Sequence, residues 1–330
     1  MNYPFRTIID VKPLPVSIDY STPLLMLGSC FTDNIGNILV ERKFPVLVNP
    51  FGVVYNPVSV ALVLNRISDG IPYIESDLQN RNDQWFSFHH HTSFSSHNQA
   101  KCLKNINSSL AKAHRLWNKS DRLIITLGTA RVYRYNETSK PVANCHKIPA
   151  REFTHELLTV NEIVGEWNDL LNKQFASKPS LRVLFTVSPV RHWKDGAVGN
   201  QISKSTLLLA ISQLVSMFPH NVFYFPSYEI MMDDLRDYRF YADDMLHPNS
   251  QAVRYIWKRF ASSVLSNEAG GLLAEIEKLQ KAANHKPFNI QSDEYRKHVA
   301  LTLDKITAFV SKHSAIDFSE EISNLKNRTI

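Results

Sequence analysis

Apolar residues 24–27 (Leu-Leu-Met-Leu) run without interruption to Gly28, and beyond it Ile35, Ile38, Leu39 and Val40 recur at helical spacing. That pattern predicts a buried strand, a sharp turn at Ser29 and an amphipathic helix. The same alternation returns along the chain. Residues 44–48, 121–127, 181–187 and 222–225 read as strands, with Leu123-Ile124-Ile125 continuous enough for a central position. Helical spacing covers 57–67, opened by Pro57, and 98–117, 159–175, 201–217 and 250–265. Thr159 with Glu162 forms a capping box at the start of the 159–175 stretch. The expected fold is α/β, a three-layer α/β/α arrangement around a central, mostly parallel sheet.

Other stretches fit this alternation less simply. Residues 1–23 are proline-punctuated and extended, a strap over the main domain. Residues 70–97 lose periodicity and carry the run Trp85-Phe86-Ser87-Phe88-His89-His90-His91, which reads as an insertion or lid. Residues 132–135 suggest a hairpin arm, followed by an irregular polar patch over 141–147. Near the C-terminus, helices over 272–283 and 292–310 flank Pro287. The expected organisation is a domain over 1–265 and a C-terminal helical extension over 266–330.

Composition narrows the function classes. In 330 residues, 37 basic against 31 acidic side chains give a net charge of +6, scattered rather than clustered, so no nucleic-acid face is expected. Cys30, Cys102 and Cys145 form neither a disulfide framework nor a zinc motif. No apolar stretch approaches the roughly 18 residues of a membrane span, and the first residues lack the core of a secretory signal. A cytoplasmic protein without cofactor or metal is the expectation, its oligomeric state unassigned.

Four polar stretches fall at or beyond predicted strand ends: Ser29, Gly128, Ser188 and the segment before His247. In an open parallel sheet those ends share one edge, where α/β proteins place their sites. A hydroxyl at the mouth of a strand, beside the free N–H groups of a helix start, can attack a carbonyl; Ser29 also suits a helix N-cap. Asp244 and His247 stand three apart before a helix, a spacing that lets a carboxylate orient an imidazole. Asp243 is the rival acid.

Gly28-Ser29-Cys30-Phe31 taken with Asp244-x-x-His247 resembles the GSCFA family, whose name reflects its N-terminal motif; Thr32 stands where that name has alanine. The similarity extends to Gly128-Thr129, Asn144-Cys145-His146 and Gln291-Ser292. This family in turn resembles the SGNH (GDSL-like) hydrolases, which implies an SGNH or flavodoxin-like sheet and ester hydrolysis through an acyl-serine. The resemblance implies Ser29 as nucleophile, His247 as base and Asp244 as its orienting acid. It also implies an oxyanion hole of the Ser29 N–H, Gly52 and an asparagine. Where the SGNH pattern Gly-x-Asn-Asp would begin at Gly128 this chain reads Gly128-Thr129-Ala130-Arg131, so Asn144 is the candidate third donor, with replacement by Thr129 or absence of that donor as the alternatives. Thr129, His146, Arg191 and His192 are candidates for substrate contact, and Cys30 for packing. A small-molecule or saccharide ester is the implied partner. Acyl transfer by the same serine, ligand binding without catalysis, and a metal site at His89, His90, His91 and His97 are the competing functions.

Overall fold

A computed structural model gives the fold and describes residues 6–285, 287–289 and 291–327; the outer ends of the expected strap and C-terminal extension lie outside them. Ten strands occur among the described residues: β1 (Leu24–Gly28), β2 (Val46–Val48), β3 (Gln79–Arg81), β4 (Gln84–Phe86), β5 (Arg122–Leu127), β6 (Arg131–Tyr135), β7 (Pro141–Val142), β8 (Phe153–Leu157), β9 (Arg182–Val187) and β10 (Val222–Phe225). The helices are α1 (Cys30–Glu41), α2 (Pro57–Asp69), α3 (Gln99–Lys119), α4 (Val160–Ser177), α5 (Gly196–Met217), the single turn α6 (Ser227–Glu229), α7 (Ser250–Val264), α8 (Asn267–Ala283), α9 (Asp293–Lys312) and α10 (Ser319–Asn327).

Every residue of β1 is buried, because the strand lies inside a sheet covered on both faces. Alternate side chains enter different cores. Leu25 and Leu27 meet α2, α3, α4 and α5 on one face. Leu24 and Met26 meet α1 and α7 on the other, where α8, α9 and α10 continue the same core. The sheet order is β10-β9-β5-β1-β2 and all four pairings are parallel, so the expectation of an α/β fold with a parallel sheet and a C-terminal helical extension is met. The chain steps from β1 to β2 on one side and returns to β5 on the other. The order therefore reverses between β1 and β5.

Local signals act where the sequence places them. Asn56 caps α2 by accepting from the Ser59 N–H at 2.8 Å, with Pro57 in the first turn. Thr159 and Glu162 close a reciprocal capping box on α4.

Four features differ from the pattern-based expectation. Strand β8 pairs antiparallel with β6, completing a small sheet of order β7-β6-β8 whose short, half-polar strands lack a periodic signature. Helix α5 begins at Gly196, its first turns hidden by Gly196 and Gly199. The segment before α7 holds α6 and a π-helical turn over Ile230–Asp234. Helix α10 is polar, with Leu325 as its buried residue. Residues 70–97 contain the β3–β4 hairpin and are tied down over 88–91. The His91 N–H donates to the Phe51 carbonyl at 2.8 Å, and the Ala143 N–H to that of Phe88 at 2.9 Å. No helix among the described residues is long and apolar enough to cross a membrane.

The buried stripe of α5 runs through Asn200, Ser203, Lys204, Leu207, Ala210, Ile211 and Leu214. Lys204 is fully buried, and its ammonium donates to the carbonyls of Gly128 and Ser188, each at 2.7 Å. It thereby joins the loops that leave β5 and β9.

Trp167, fully buried and edge-on to Phe185 at 5.0 Å, is expected to cost about 3–5 kcal/mol on replacement by alanine, read by urea denaturation. Burial lowers the Lys204 pKa to about 7. Between that value and the ordinary lysine range the unfolded chain holds the proton and the folded chain does not, so stability rises with pH across this window. Relative to Lys204→Met, the parent is expected to gain at most about 1.4 kcal/mol per pH unit from pH 7 to 10. Parallel denaturation curves that keep a constant gap would contradict this.

Candidate active site

Gly28 ends β1 at φ +142°, and a Cβ there would lie 2.2 Å from the Thr126 carbonyl oxygen. Only glycine lets the two strands come this close. Ser29 follows in extended conformation as the N-cap of α1, and its hydroxyl accepts the Phe31 N–H at 3.3 Å. Its own N–H donates to the Thr126 carbonyl at 3.1 Å, prolonging the parallel ladder by one bond. The residue is 1 % exposed. Ser29 thus stands where the strand order reverses, beside Gly128 at the end of β5: a Cβ on Gly128 would lie 3.4 Å from that of Ser29 and 3.3 Å from the Tyr55 ring. Such a reversal opens a crevice at the carboxyl ends of the strands.

Asn49 braces the turn from the β2 side. Its Oδ1 accepts the Gly28 N–H at 2.8 Å, and its Nδ2 donates to Asp33 Oδ1 at 2.6 Å. Burial pushes the Asp33 carboxyl above its ordinary range. The neighbouring Cys30 thiol is also pushed up, by burial and then by Asp33, which disfavours its nucleophilic thiolate.

Asp244 and His247 meet in a tight turn. Asp244 Oδ1 accepts the N–H groups of Leu246 and His247, both at 2.9 Å, and its Oδ2 lies 2.6 Å from His247 Nδ1. The backbone bond from His247, then that from Leu246, then the imidazole bond hold the Asp244 carboxyl down to about 2. An ionised Asp244 accepts only, which places the proton on His247 Nδ1 and leaves Nε2 free to accept. Asp243 makes no side-chain bond among the described residues.

The direction of α7 decides where this turn lies. At its far end Leu265 pairs with Ile18, and Arg122 Nε at the start of β5 reaches the Ser17 carbonyl at 2.8 Å, so α7 ends at the amino edge of the sheet. Its beginning, with His247, therefore lies toward the carboxyl edge, where α1 also starts. The two helices pack in one core through Phe31, Ile35, Ala252 and Ile256. Among the described residues Ser29 Oγ and His247 make no hydrogen bond to each other, and the Asp244 and His247 side chains are each 47 % exposed.

The remaining predicted residues are dispersed. Gly52 sits at φ +85°, its N–H donating to the Asn49 carbonyl at 2.7 Å, and a Cβ there would lie 2.1 Å from that of His91. Asn144 accepts the His146 N–H at 2.8 Å and donates to Thr92 Oγ1 at 3.3 Å. Hence the backbone N–H groups of Ser29 and Gly52 and the Asn144 amide all have partners in this conformation. Thr129 is buried, its hydroxyl 3.0 Å from Ser203 Oγ on α5. His146 stacks on Phe86 at 4.3 Å and bonds the Ser87 carbonyl at 2.9 Å, which makes it part of the satellite sheet's packing. Arg191 lines a cavity of ≈490 Å³ with Trp193, Tyr238, Tyr241 and Asp244, and has no carboxylate within 4.0 Å among the described residues. His192 lines a second cavity of ≈300 Å³, its Nδ1 3.1 Å from Asp195 Oδ2.

The histidines of the 89–91 run are engaged in separate contacts. His90 is buried, stacked on Phe51 at 4.3 Å, while His89 pairs with the Tyr73 hydroxyl at 3.1 Å. Among the described residues no three His, Cys, Asp or Glu side chains are grouped to hold a metal.

Sequence reasoning passed over Asp33, Asn49, Asp195 and Lys204. Lys204 did leave a signal: it occupies the apolar stripe of α5, three residues before Leu207 and seven before Ile211. Asn49 and Asp195 left none, since a polar residue in a loop has no periodicity to violate.

Comparison with known proteins places these residues in a family. The model of the GSCFA family matches residues 23–260, and that of the GSCFA domain protein, C-terminal domain, matches 276–330. No curated protein matches the sequence. A crystal structure of a carbohydrate esterase family 3 from Talaromyces cellulolyticus aligns over 78 % of this chain and 99 % of that one, at 11 % identity and a TM-score of 0.34, too slight a likeness to bear on the reading. With both the main body and the C-terminal helices matched, the chain belongs to the GSCFA family.

Proposed function

We propose that the protein is a serine hydrolase of SGNH type, cleaving the ester of an O-acylated carbohydrate through an acyl-serine. The observation that carries this reading is the Asp244–His247 pair at 2.6 Å, placed before a helix that packs on the helix capped by Ser29. In the proposed reaction His247 Nε2 takes the Ser29 proton as Oγ bonds to the acyl carbon, and Asp244 stabilises the resulting imidazolium. The imidazolium then gives that proton to the leaving alcohol as the ester C–O bond breaks. Water, deprotonated by the same imidazole, attacks the acyl-serine, and as the acyl C–Oγ bond breaks the imidazolium returns the proton to Ser29 and the carboxylic acid leaves.

The positive end of α1 favours the developing oxyanion. The Ser29 N–H, Gly52 and Asn144 are the donors of this reading, and each exchanges its present partner for the oxyanion when substrate binds. Ser29 likewise releases the Phe31 N–H for His247, a tightening common when an unliganded site takes substrate. Exposed Trp193 and Tyr238 beside Asp244 offer faces to a sugar ring.

One observation favours a second reading, ligand binding without catalysis: every one of those donors is already paired. Labelling separates the two. A fluorophosphonate is expected to modify the parent at Ser29, seen by peptide mass spectrometry, and to leave Ser29→Ala unmodified. Ser29→Ala, His247→Ala and Asp244→Asn are each expected to lower kcat/KM on acetylated sugars about 10³-fold or more. Equal labelling of parent and Ser29→Ala excludes the serine mechanism. Chelation with EDTA is expected to leave the hydrolysis rate unchanged, measured on the same substrate; a loss restored by zinc would favour metal catalysis.

A further inference from the structure

The ≈300 Å³ cavity shares a wall with the serine turn. Tyr55, whose ring lies against Gly128 beside Ser29, forms one side of it. Across from this wall stand side chains from the satellite sheet and from the loop that precedes α5: Arg131, Tyr133, His155, His192 and Lys194. Their charge is unbalanced. No carboxylate lines the cavity; the acid that pairs with these side chains is Asp195, 10 % exposed, which lies 3.4 Å from Arg131 Nε, 3.1 Å from His192 Nδ1 and 3.9 Å from His155 Nδ1. One carboxylate thus faces one guanidinium and two imidazoles, with a lysine alongside.

The cations keep free valence toward the cavity. The terminal nitrogens of Arg131 make no hydrogen bond among the described residues, and its side chain is 24 % exposed. Lys194 donates to the Tyr133 hydroxyl at 2.5 Å, and none of the ion pairs among the described residues includes it. Asp195 is largely covered by its own partners, so the surface presented to a ligand is cationic. A guanidinium and an ammonium at one concavity match an oxyanion group, the first by paired donors and the second as a point charge. Its volume suits a part of monosaccharide size.

We propose that this cavity is an anion subsite, built by Arg131 and Lys194, that holds a carboxylate or phosphate on a monosaccharide-sized part of the ester while the scissile bond lies across Tyr55 toward Ser29. The orientation toward Ser29 rests on the serine-hydrolase reading; the anion preference does not. Asp195 then acts as a positioning residue, holding Arg131 and His192 at the wall.

Calorimetric titration of the whole protein with D-glucuronate, glucose 6-phosphate and glucose at low ionic strength tests it without turnover. One or both anionic sugars are expected to bind about tenfold or more tightly than glucose, and the stronger of them identifies the anion. Arg131→Gln and the exposed Lys194→Gln are each expected to reduce that preference about tenfold, whereas Ser29→Ala retains it. Equal binding of the three sugars, or a preference unchanged in both variants, overturns the subsite. Lost anion preference with intact fluorophosphonate labelling rejects the subsite alone. Retained preference without labelling rejects the serine reading alone.

Discussion

The approach of β1 to β5 at Gly28 is the constraint on which the rest of the site depends. With no side chain between the strands, the Thr126 carbonyl reaches the Ser29 N–H at 3.1 Å, and the ladder extends into the turn. Ser29 is thereby placed at the first residue beyond the sheet, with α1 starting immediately behind it. Asn49 secures the same glycine from the other side, through a 2.8 Å bond to its N–H. A turn held by both neighbouring strands fixes where its serine stands at the carboxyl edge, while the Ser29 N–H that anchors it is engaged by Thr126 in this conformation.

Charges near this edge are governed by their surroundings in opposite ways. Lys204 is wholly enclosed, and burial lowers its pKa to about 7 even though two carbonyls accept from it. Asp244 is exposed, yet three hydrogen bonds hold it ionised. Desolvation dominates the first group and donated hydrogen bonds the second. The consequence for the proposed chemistry is a carboxylate that stays charged without needing a closed pocket, set on a short turn whose geometry its own backbone bonds define.

The satellite sheet of β6, β7 and β8 adds what the parallel sheet lacks. Its side chains reach back over the carboxyl edge, and with His192 and Lys194 they give the ≈300 Å³ cavity its cationic wall. This wall joins residues 131, 133, 155, 192 and 194, none of which belongs to the turn around Ser29 or to the Asp244 turn. A reaction centre and a recognition surface thus come from separate parts of the chain.

The alternation of apolar runs was sufficient to place the five central strands and most of the helices, because burial on both faces of a parallel sheet demands continuous apolar segments. Likewise the Thr159 capping box and the Asp244–His247 spacing are local, and local geometry follows from neighbours in sequence. Of the small sheet only the hairpin arm at 132–135, which is β6, was legible; β8 was not, since it is stabilised by pairing with β6 rather than by any pattern of its own. Nor were Asn49, Asp195 or the carbonyl partners of Lys204, for their roles depend on residues tens of positions away. The opening motif itself divides in this way. A strand, a glycine turn and a serine cap are written in residues 24–31, but the partners that occupy Ser29's N–H and surround its hydroxyl are chosen by the packing of β5 and Tyr55 against them.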